Sequence, residues 1–469
     1  MAHTIVAQAT ATGLSGLSII RVSGENAFQI SDKCFQGKKK IVDAKSHTIL
    51  YGNFVYNGEI IDDVTVSIFK SPNSYTGENV VEFGTHGGNV IPTKIIQTLM
   101  KAGCKHSEPG EFTRRAFING KINLVQAEAI ADIIHSISIP SALISAKQLR
   151  GGITTKLTNL RNQLITVASK LELELDFADE EIELINSKDL MFYLENAIFA
   201  CKQISNSFKT STILREGYFV SIIGKPNTGK STLFNNLLQK ERAIVSNIAG
   251  TTRDYLSEQM LLNDIPIKLI DTAGLRETDD LLEIEGIQFA QKMLEQSNLI
   301  LLLNDFTLGE NHSKTLFSNI ISKYSHCDFI ILQNKCDLVD FTNISIPKNE
   351  MEIPTFYISA KNPANLEALT NSEELNIINL EKLKSAISDL AQKHTVNSND
   401  ILLNERQYFK LLETENALET AKNLLLDDVP IEIISIEIRN AGRLLGELTG
   451  ETWNEEVLTS IFSRFCIGK

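Results

Sequence analysis

Two hydrophobic rhythms alternate along this 469-residue chain. Up to about residue 118, short β-rich runs are separated by turn signals. Residues 5–10 and 17–22 read as strands, and 48–55 and 59–70 flank Asn57-Gly58, a pair that favours a tight hairpin turn. Val80-Val81-Glu82-Phe83 predicts a further strand running into a loop at Gly84-Thr85-His86-Gly87-Gly88. Residues 91–100 predict a helix that stops at Gly103. From about 119 the apolar spacing becomes three and four. Leu149, Ile153, Leu157, Leu160, Leu164, Ala168, Leu171 and Leu175 predict one long amphipathic helix. The acidic residues Glu172, Glu174, Asp176, Asp179, Glu180, Glu181 and Glu183 read as its solvated end. Strand patterns at 219–223, 267–271, 299–304, 329–333 and 355–358 then alternate with helical stretches, as a mostly parallel sheet requires. Residues 381–469 return to helical periodicity, apart from an ambiguous run at 431–438. The pattern predicts a multidomain α+β and α/β chain. An N-terminal α+β domain covers 1–118, and a discontinuous helical domain covers 119–215 and 381–469. An α/β unit at 216–380 is inserted between its parts.

Composition narrows this picture little. With 43% hydrophobic and 22% charged residues the chain reads as folded and soluble. A net charge of −13 argues against a broadly basic nucleic-acid binder, so RNA would need a local patch such as Lys147, Arg150, Lys156 and Arg161. Cysteines at 34, 104, 201, 327, 336 and 466 form no C-x-x-C pair, the usage of a reducing, cytoplasmic compartment. No leader pattern is present, and the longest apolar run, 299–303, is far too short to cross a membrane. Cys466-Ile467-Gly468-Lys469 fits a prenylation box poorly.

The chemistry concentrates at 219–231. An apolar run leads into Gly224-Lys225-Pro226-Asn227-Thr228-Gly229-Lys230-Ser231, which fits the G-x-x-x-x-G-K-[ST] phosphate loop, and helical spacing follows at Leu233, Phe234, Leu237 and Leu238. Backbone amides from Asn227 to Thr232 would wrap the phosphates, Lys230 would reach the β and γ oxygens, and Ser231 would bind Mg²⁺. Four more pieces fall in the order a GTPase needs. Gly250-Thr251-Thr252-Arg253-Asp254 offers Thr252 to Mg²⁺ and the γ-phosphate. Asp271-Thr272-Ala273-Gly274 offers the Asp271 carboxylate to Mg²⁺ and the Gly274 amide to the γ-phosphate. In Asn334-Lys335-Cys336-Asp337 the last carboxylate can accept two hydrogen bonds from guanine, and Ser359-Ala360-Lys361 closes the base site. Leu275 stands where Ras-like proteins keep a water-orienting glutamine, so the water needs another guide, such as Asn227, Glu283 or Glu285.

With these motifs the chain resembles the MnmE (TrmE) family of tRNA-modifying GTPases, in the TrmE-Era-EngA-like class, over essentially its whole length. The N-terminal match rests on residues 4–10, Arg21-Val22-Ser23-Gly24, Ser74-Tyr75-Thr76-Gly77-Glu78, His86-Gly87-Gly88 and residues 110–117. Asn119-Gly120-Lys121, Gln126-Ala127-Glu128-Ala129 and the terminal Cys466-Ile467-Gly468-Lys469 extend it. The resemblance implies a Ras-like GTPase domain whose catalytic groups are Glu283, Lys230 and Asn227. It implies K⁺ held by Asn227, Ser246, Ile248 and Thr251, with Asn247, Ala249 and Gly250 in the same GTP-binding loop. Asn247 departs from the family's aspartate. It also implies an N-terminal folate-binding and dimerisation domain, with Arg21, Glu78, Lys121 and Lys469 around 5-formyl- or 5,10-methylene-tetrahydrofolate. The implied partners are a second copy, a FAD-dependent MnmG/GidA-like protein in a heterotetramer, and tRNA. The implied reaction installs a carboxymethylaminomethyl or aminomethyl group at C5 of the wobble uridine. The alternative is a GTP-gated RNA-binding or ribosome-assembly switch without small-molecule chemistry, which predicts an RNA-binding appendage. An ATP-dependent enzyme is opposed by Asn334–Asp337.

Overall fold

Seven strands build the N-terminal sheet: β1 Ile5–Gln8, β2 Leu17–Ser23, β3 Phe35–Gly37, β4 Thr48–Tyr56, β5 Glu59–Phe69, β6 Val80–His86 and β7 Lys105–His106. The computed structural model describes residues 3–176, 185–238, 257–271, 291–339, 353–361, 379–395 and 401–469. The sheet order is β3-β4-β5-β6-β2-β1-β7, antiparallel except for the β1–β7 pair. Asn57 (φ 50°) and Gly58 (φ 84°) form the β4–β5 turn, as their sequence predicts. On β5, Val64, Val66 and Ile68 face a core in which Phe54 and Phe83 meet edge to face at 5.3 Å under Ile95 and Leu99 of the helix Val90–Ala102. That helix ends at Gly103 (φ 127°). The expected loop at 84–88 begins later, because Gly84 and His86 still pair with Ile19 and Leu17 of β2.

The opposite sheet face carries two cross-strand rows fixed by register. One runs Ile19, Gly84, Thr65, Tyr51, and the next runs Arg21, Glu82, Ser67, Ile49. Tyr51 and Ile49 are 69% and 71% exposed on it.

The chain divides into two compact units, one of residues 1–134, 146–201 and 409–469, the other of 135–145 and 202–408. In the first unit the helix Gly152–Asp176 packs on the helix Ile431–Thr449. The single long helix expected from Leu149 onward is present from Gly152 to Asp176, and only Leu149 falls outside it, because Gly151 (φ 94°) sets it in the preceding helix Ile139–Leu149. The ambiguous 431–438 run is helical, with Ile434, Ile438, Ala441, Leu445 and Leu448 buried along it. Arg161, proposed for a basic face, ion-pairs with Glu451 at 2.5 Å. Glu172 of the acidic run pairs with Arg439 at 2.8 Å, and Asp179, Glu180, Glu181 and Glu183 lie outside the described residues. A smaller core of Phe117, Leu124, Leu458, Phe462 and Phe465 gathers the helices Glu111–Ile118, Leu124–His135 and Glu455–Phe462. It delivers residues 466–469 to the N-terminal sheet, where the Phe112 amide donates to the Lys469 carbonyl.

The second unit holds six strands: β8 Tyr218–Gly224, β9 Ser257–Leu262, β10 Ile265–Asp271, β11 Leu299–Asp305, β12 Asp328–Asn334 and β13 Thr355–Tyr357. Their order is β13-β12-β11-β8-β10-β9, all parallel except β9 against β10. β11 is buried along its whole length, which explains its unbroken apolar run. Among the described residues no helix is long and apolar enough to cross a membrane.

Candidate functional site

The phosphate-loop motif leaves the end of β8. At Gly224 any Cβ would lie 2.3 Å from the Leu303 carbonyl oxygen, so the first motif glycine is required by the neighbouring strand. Asn227 (φ 65°) and Gly229 (φ 96°) are left-handed and wind the loop into the helix Lys230–Leu238. The buried Thr228 hydroxyl donates to the Lys225 carbonyl at 2.9 Å. The Lys230 ammonium curls back to the carbonyls of Gly224 (3.0 Å) and Lys225 (2.9 Å). Asn227, Ser231 and Thr232 are exposed at the helix start, where backbone amides and the helix dipole favour anions. The register sets Asp271, the last residue of β10, opposite Ile222 of β8, beside the loop's own strand.

β12 ends at the base-site motif. Asn334 is 2% exposed; its side chain donates to the Thr228 carbonyl at 2.7 Å and accepts from the Ala360 amide at 2.9 Å. It therefore ties the phosphate loop to the Ser359–Ala360 segment. Asn236, on the helix after the phosphate loop, donates to the Ala360 carbonyl. Lys335 is left-handed (φ 66°), and Asp337 is half-buried in the turn Cys336–Leu338. Ser359 and Ala360 are buried and Lys361 is exposed. These groups gather at the carboxyl ends of β8, β11, β12 and β13, the edge where open α/β sheets bind ligands.

A second constellation lies on the N-terminal sheet. Arg21 of β2 ion-pairs with Glu82 of β6 at 2.8 Å, and its guanidinium lies 5.0 Å from the Tyr75 ring centroid and 5.6 Å from that of Phe112. Arg21 also donates to the Gly468 carbonyl at 3.5 Å. Burial and the nearby Arg21 charge push the Lys469 ammonium below its ordinary pKa, against an opposing pull from Glu82. Glu78 accepts from Ser23 at 2.7 Å and from Arg115 at 3.0 Å. Lys121 donates to the Pro72 carbonyl at 3.0 Å, and Asn119 to the Thr76 carbonyl at 2.7 Å, so both strap the loop that carries Glu78. Gly468 (φ 96°) lies so close to β1 that a Cβ there would stand 2.0 Å from the Gln8 carbonyl oxygen.

Residues 4–121 match the family model of the GTP-binding protein TrmE N-terminus, and residues 124–466 match that of the MnmE helical domain. The tRNA modification GTPase MnmE of Flavobacterium psychrophilum is 39% identical over 471 residues, spanning 99% of each chain. The chain belongs to the MnmE family of GTPases. The MnmE of Acetivibrio thermocellus is 37% identical over 472 residues, again 99% of each chain. Among solved structures, Era of Aquifex aeolicus bound to GDP and AlF4⁻ is 28% identical, with a TM-score of 0.27 over 42% of this chain and 66% of that one, too low to carry weight.

Of the residues that the sequence of this MnmE-family GTPase marks for a nucleotide site, Asn227 to Thr232, Asp271, Asn334, Lys335, Asp337, Ser359, Ala360 and Lys361 lie among the described residues. Ser246, Asn247, Ile248, Ala249, Gly250, Thr251, Thr252, Thr272, Ala273, Gly274, Leu275, Glu283 and Glu285 lie outside the described residues. The structure brings Arg21 to Lys469 and ties Glu78 and Lys121 to one loop. Glu82 pairs with Arg21 and Arg115 with Glu78, and although Arg115 lies within the matched stretch 110–117, the sequence singles out neither as a site residue. If Asp337 reads guanine, Asp337→Asn should weaken GTP binding by about 1–3 kcal/mol and favour xanthosine triphosphate. Competition against a fluorescent guanine nucleotide measures both, and unchanged GTP affinity would remove Asp337 from the base site.

Proposed function

We propose that this chain hydrolyses GTP to drive a one-carbon-dependent modification of C5 of the wobble uridine in certain tRNAs. It acts as a homodimer with a FAD-dependent MnmG/GidA-like partner, leaving a carboxymethylaminomethyl or aminomethyl group. The domain assignment is an α+β folate-binding and dimerisation domain at 1–118, a helical domain at 119–215 and 381–469, and an inserted Ras-like GTPase domain at 216–380. What carries the reading is the presence in one chain of two unlike sites. One is a phosphate loop tied through Asn334 to a guanine-type base loop. The other sets two cations, Arg21 and Lys469, beside Tyr75 and Phe112.

The second site fits a reduced folate chemically. Two neighbouring cations disfavour each other, and the carboxylates of a glutamate tail would relieve that repulsion. Half-buried Tyr75, backed by the core residue Phe112, gives the ring system an apolar surface, Glu78 suits an amino-pterin edge, and Lys121 adds a further cation. The open rows with Ile19, Tyr51 and Ile49 continue the face on which Arg21 stands, and an apolar sheet face of this kind supports dimerisation there. Comparing wobble-position nucleosides from cells with and without this chain tests the overall reading, and identical nucleosides would overturn it.

In the nucleotide site, Lys230 and the loop amides hold the phosphates, and Ser231 and Thr232 stand at the helix start. Mg²⁺ would rest on Ser231, Thr252 and Asp271. K⁺, when bound, would supply positive charge near the β/γ bridge, where negative charge grows in the transition state. Asn227 fits such an ion, because the left-handed turn leaves its neutral amide exposed beside the phosphate cradle. Ser246, Ile248 and Thr251 would complete the ligand set, and Glu283 would guide the attacking water. GTPase activity is therefore expected to be at least about tenfold higher in K⁺ than in Na⁺, equivalent to roughly 1.4 kcal/mol of barrier. Asn227→Ala should erase the difference, while Glu283→Ala should slow hydrolysis and leave K⁺-dependent association of the GTPase domains. Equal rates in the two salts, at matched ionic strength and saturating Mg²⁺-GTP, would defeat the K⁺ assignment.

A further inference from the structure

Asp305 is the last residue of β11 and is 6% exposed. Its carboxylate accepts from the Lys335 ammonium at 2.5 Å, from the Thr307 hydroxyl at 2.6 Å and from the Thr307 amide at 3.1 Å. Burial alone would raise this carboxyl's pKa. The hydrogen bonds from Lys335 and Thr307, with the Lys335 charge, outweigh burial and hold it below the ordinary value. Three donors from two residues therefore hold the carboxylate in place.

Its neighbourhood is equally constrained. Asn304, fully buried, donates to the Gln333 side chain at 2.7 Å and to the Gly309 carbonyl at 2.9 Å, and it accepts from Ser313 at 2.8 Å. The segment after β11 is thus pinned to β12 just before the base-site motif. The same segment reaches the phosphate loop, because the Lys225 ammonium donates to the His312 carbonyl at 2.5 Å. Lys335 is therefore fixed at both ends. Its backbone sits in a left-handed conformation that a residue with a Cβ seldom adopts, and its ammonium is held by Asp305. Its methylene stem spans those two points, two residues before Asp337 in the chain.

We propose that Asp305 acts through Lys335 as a positioning residue for the guanine base, holding the lysine stem as a ready-made wall of the base slot. This rests on Asp337 and its motif forming the base site, and it adds what determines how long a guanine nucleotide stays. An unanchored lysine would have to be ordered each time nucleotide binds, which costs affinity and shortens residence. The contribution falls on binding, because Asp305 lies at the base end and contacts no phosphate-loop residue named above.

The test uses the full-length chain and a fluorescent GDP analogue. Asp305→Asn keeps the side-chain shape and one acceptor for Thr307 but removes the charge that holds Lys335. It is expected to speed release of the analogue at least about tenfold and to raise KM for GTP similarly, while kcat falls by less than about threefold. In a Lys335→Met background the same change should add less than about twofold, because its route is gone. Thermal unfolding of each variant reports separately on stability. Equal effects in both backgrounds, or a loss confined to kcat, would overturn the proposal. So would a Lys335→Met chain that releases the analogue at the parent rate. In that last case a normal switch to xanthosine triphosphate in Asp337→Asn leaves the base-site reading standing, whereas no switch removes that reading too.

Discussion

Alanine at position 229 is expected to abolish nucleotide binding at micromolar concentrations while the chain stays folded. Gly229 has φ +96°, and an alanine Cβ there would stand 2.4 Å from the Asn334 amide nitrogen. The left-handed backbone alone costs an L-residue roughly 1–2 kcal/mol. The collision costs more, because Asn334 has nowhere to go. It is buried and already engaged on one side by the Thr228 carbonyl and on the other by the Ala360 amide. Moving it leaves buried polar groups unpaired, at about 1–3 kcal/mol. The two effects together imply at least about 2 kcal/mol, or roughly thirtyfold in Kd. Titration with a fluorescent GDP analogue measures this, with thermal unfolding as the control. An affinity within threefold of the parent would show that the Asn334 tie does not shape the site.

Gly468→Ala should remove folate binding just as sharply while GTP hydrolysis persists. The new methyl would meet backbone at 2.0 Å from the Gln8 oxygen and 3.0 Å from the Ala9 Cα, and neither atom can swing aside as a side chain would. Residues 466–469 must then lift from β1, breaking the Phe112–Lys469 backbone bond and carrying the Lys469 ammonium away from Arg21. Calorimetry with 5-formyl-tetrahydrofolate should show a loss of at least about 2 kcal/mol, roughly thirtyfold in Kd. A chain truncated before Cys466 should behave alike, and undiminished binding by either variant removes Lys469 from the site.

Features set by local conformation were the legible ones. The Asn57-Gly58 turn, the end of a helix at Gly103 and the left-handed Gly229 follow from residues that tolerate positive φ. Five strands of the second sheet were marked by apolar runs, whereas β9 was not. Its turn uses Asn263 and Asp264, both left-handed without a glycine to advertise it. β3 and β7, three and two residues long, are too short to show any period. The break at Gly151 was hidden because apolar spacing continues across it. In the sites, residues belonging to a motif were readable, and their partners were not. Glu82 meets Arg21 only because β2 and β6 pair in one register, and Arg115 reaches Glu78 from a helix beyond the sheet. Asp305 meets Lys335 only where β11 and β12 end side by side. Such pairings are decided by tertiary register, which no single segment encodes.

The contact between Gln8 and Gly468 also bears on the order in which the molecule is made. β1 is made long before the residues laid against it, since Gly468 follows Gln8 by 460 positions. The sheet can pair β1 with β2 early, since their turn is local. The Arg21–Lys469 end of the second site has no such local route and closes only after the 447 residues between them have been made. Ribosome-bound chains should therefore acquire nucleotide binding before they acquire folate binding. A ligand that occupies the second site would select for chains whose helical packing has brought its two distant segments together.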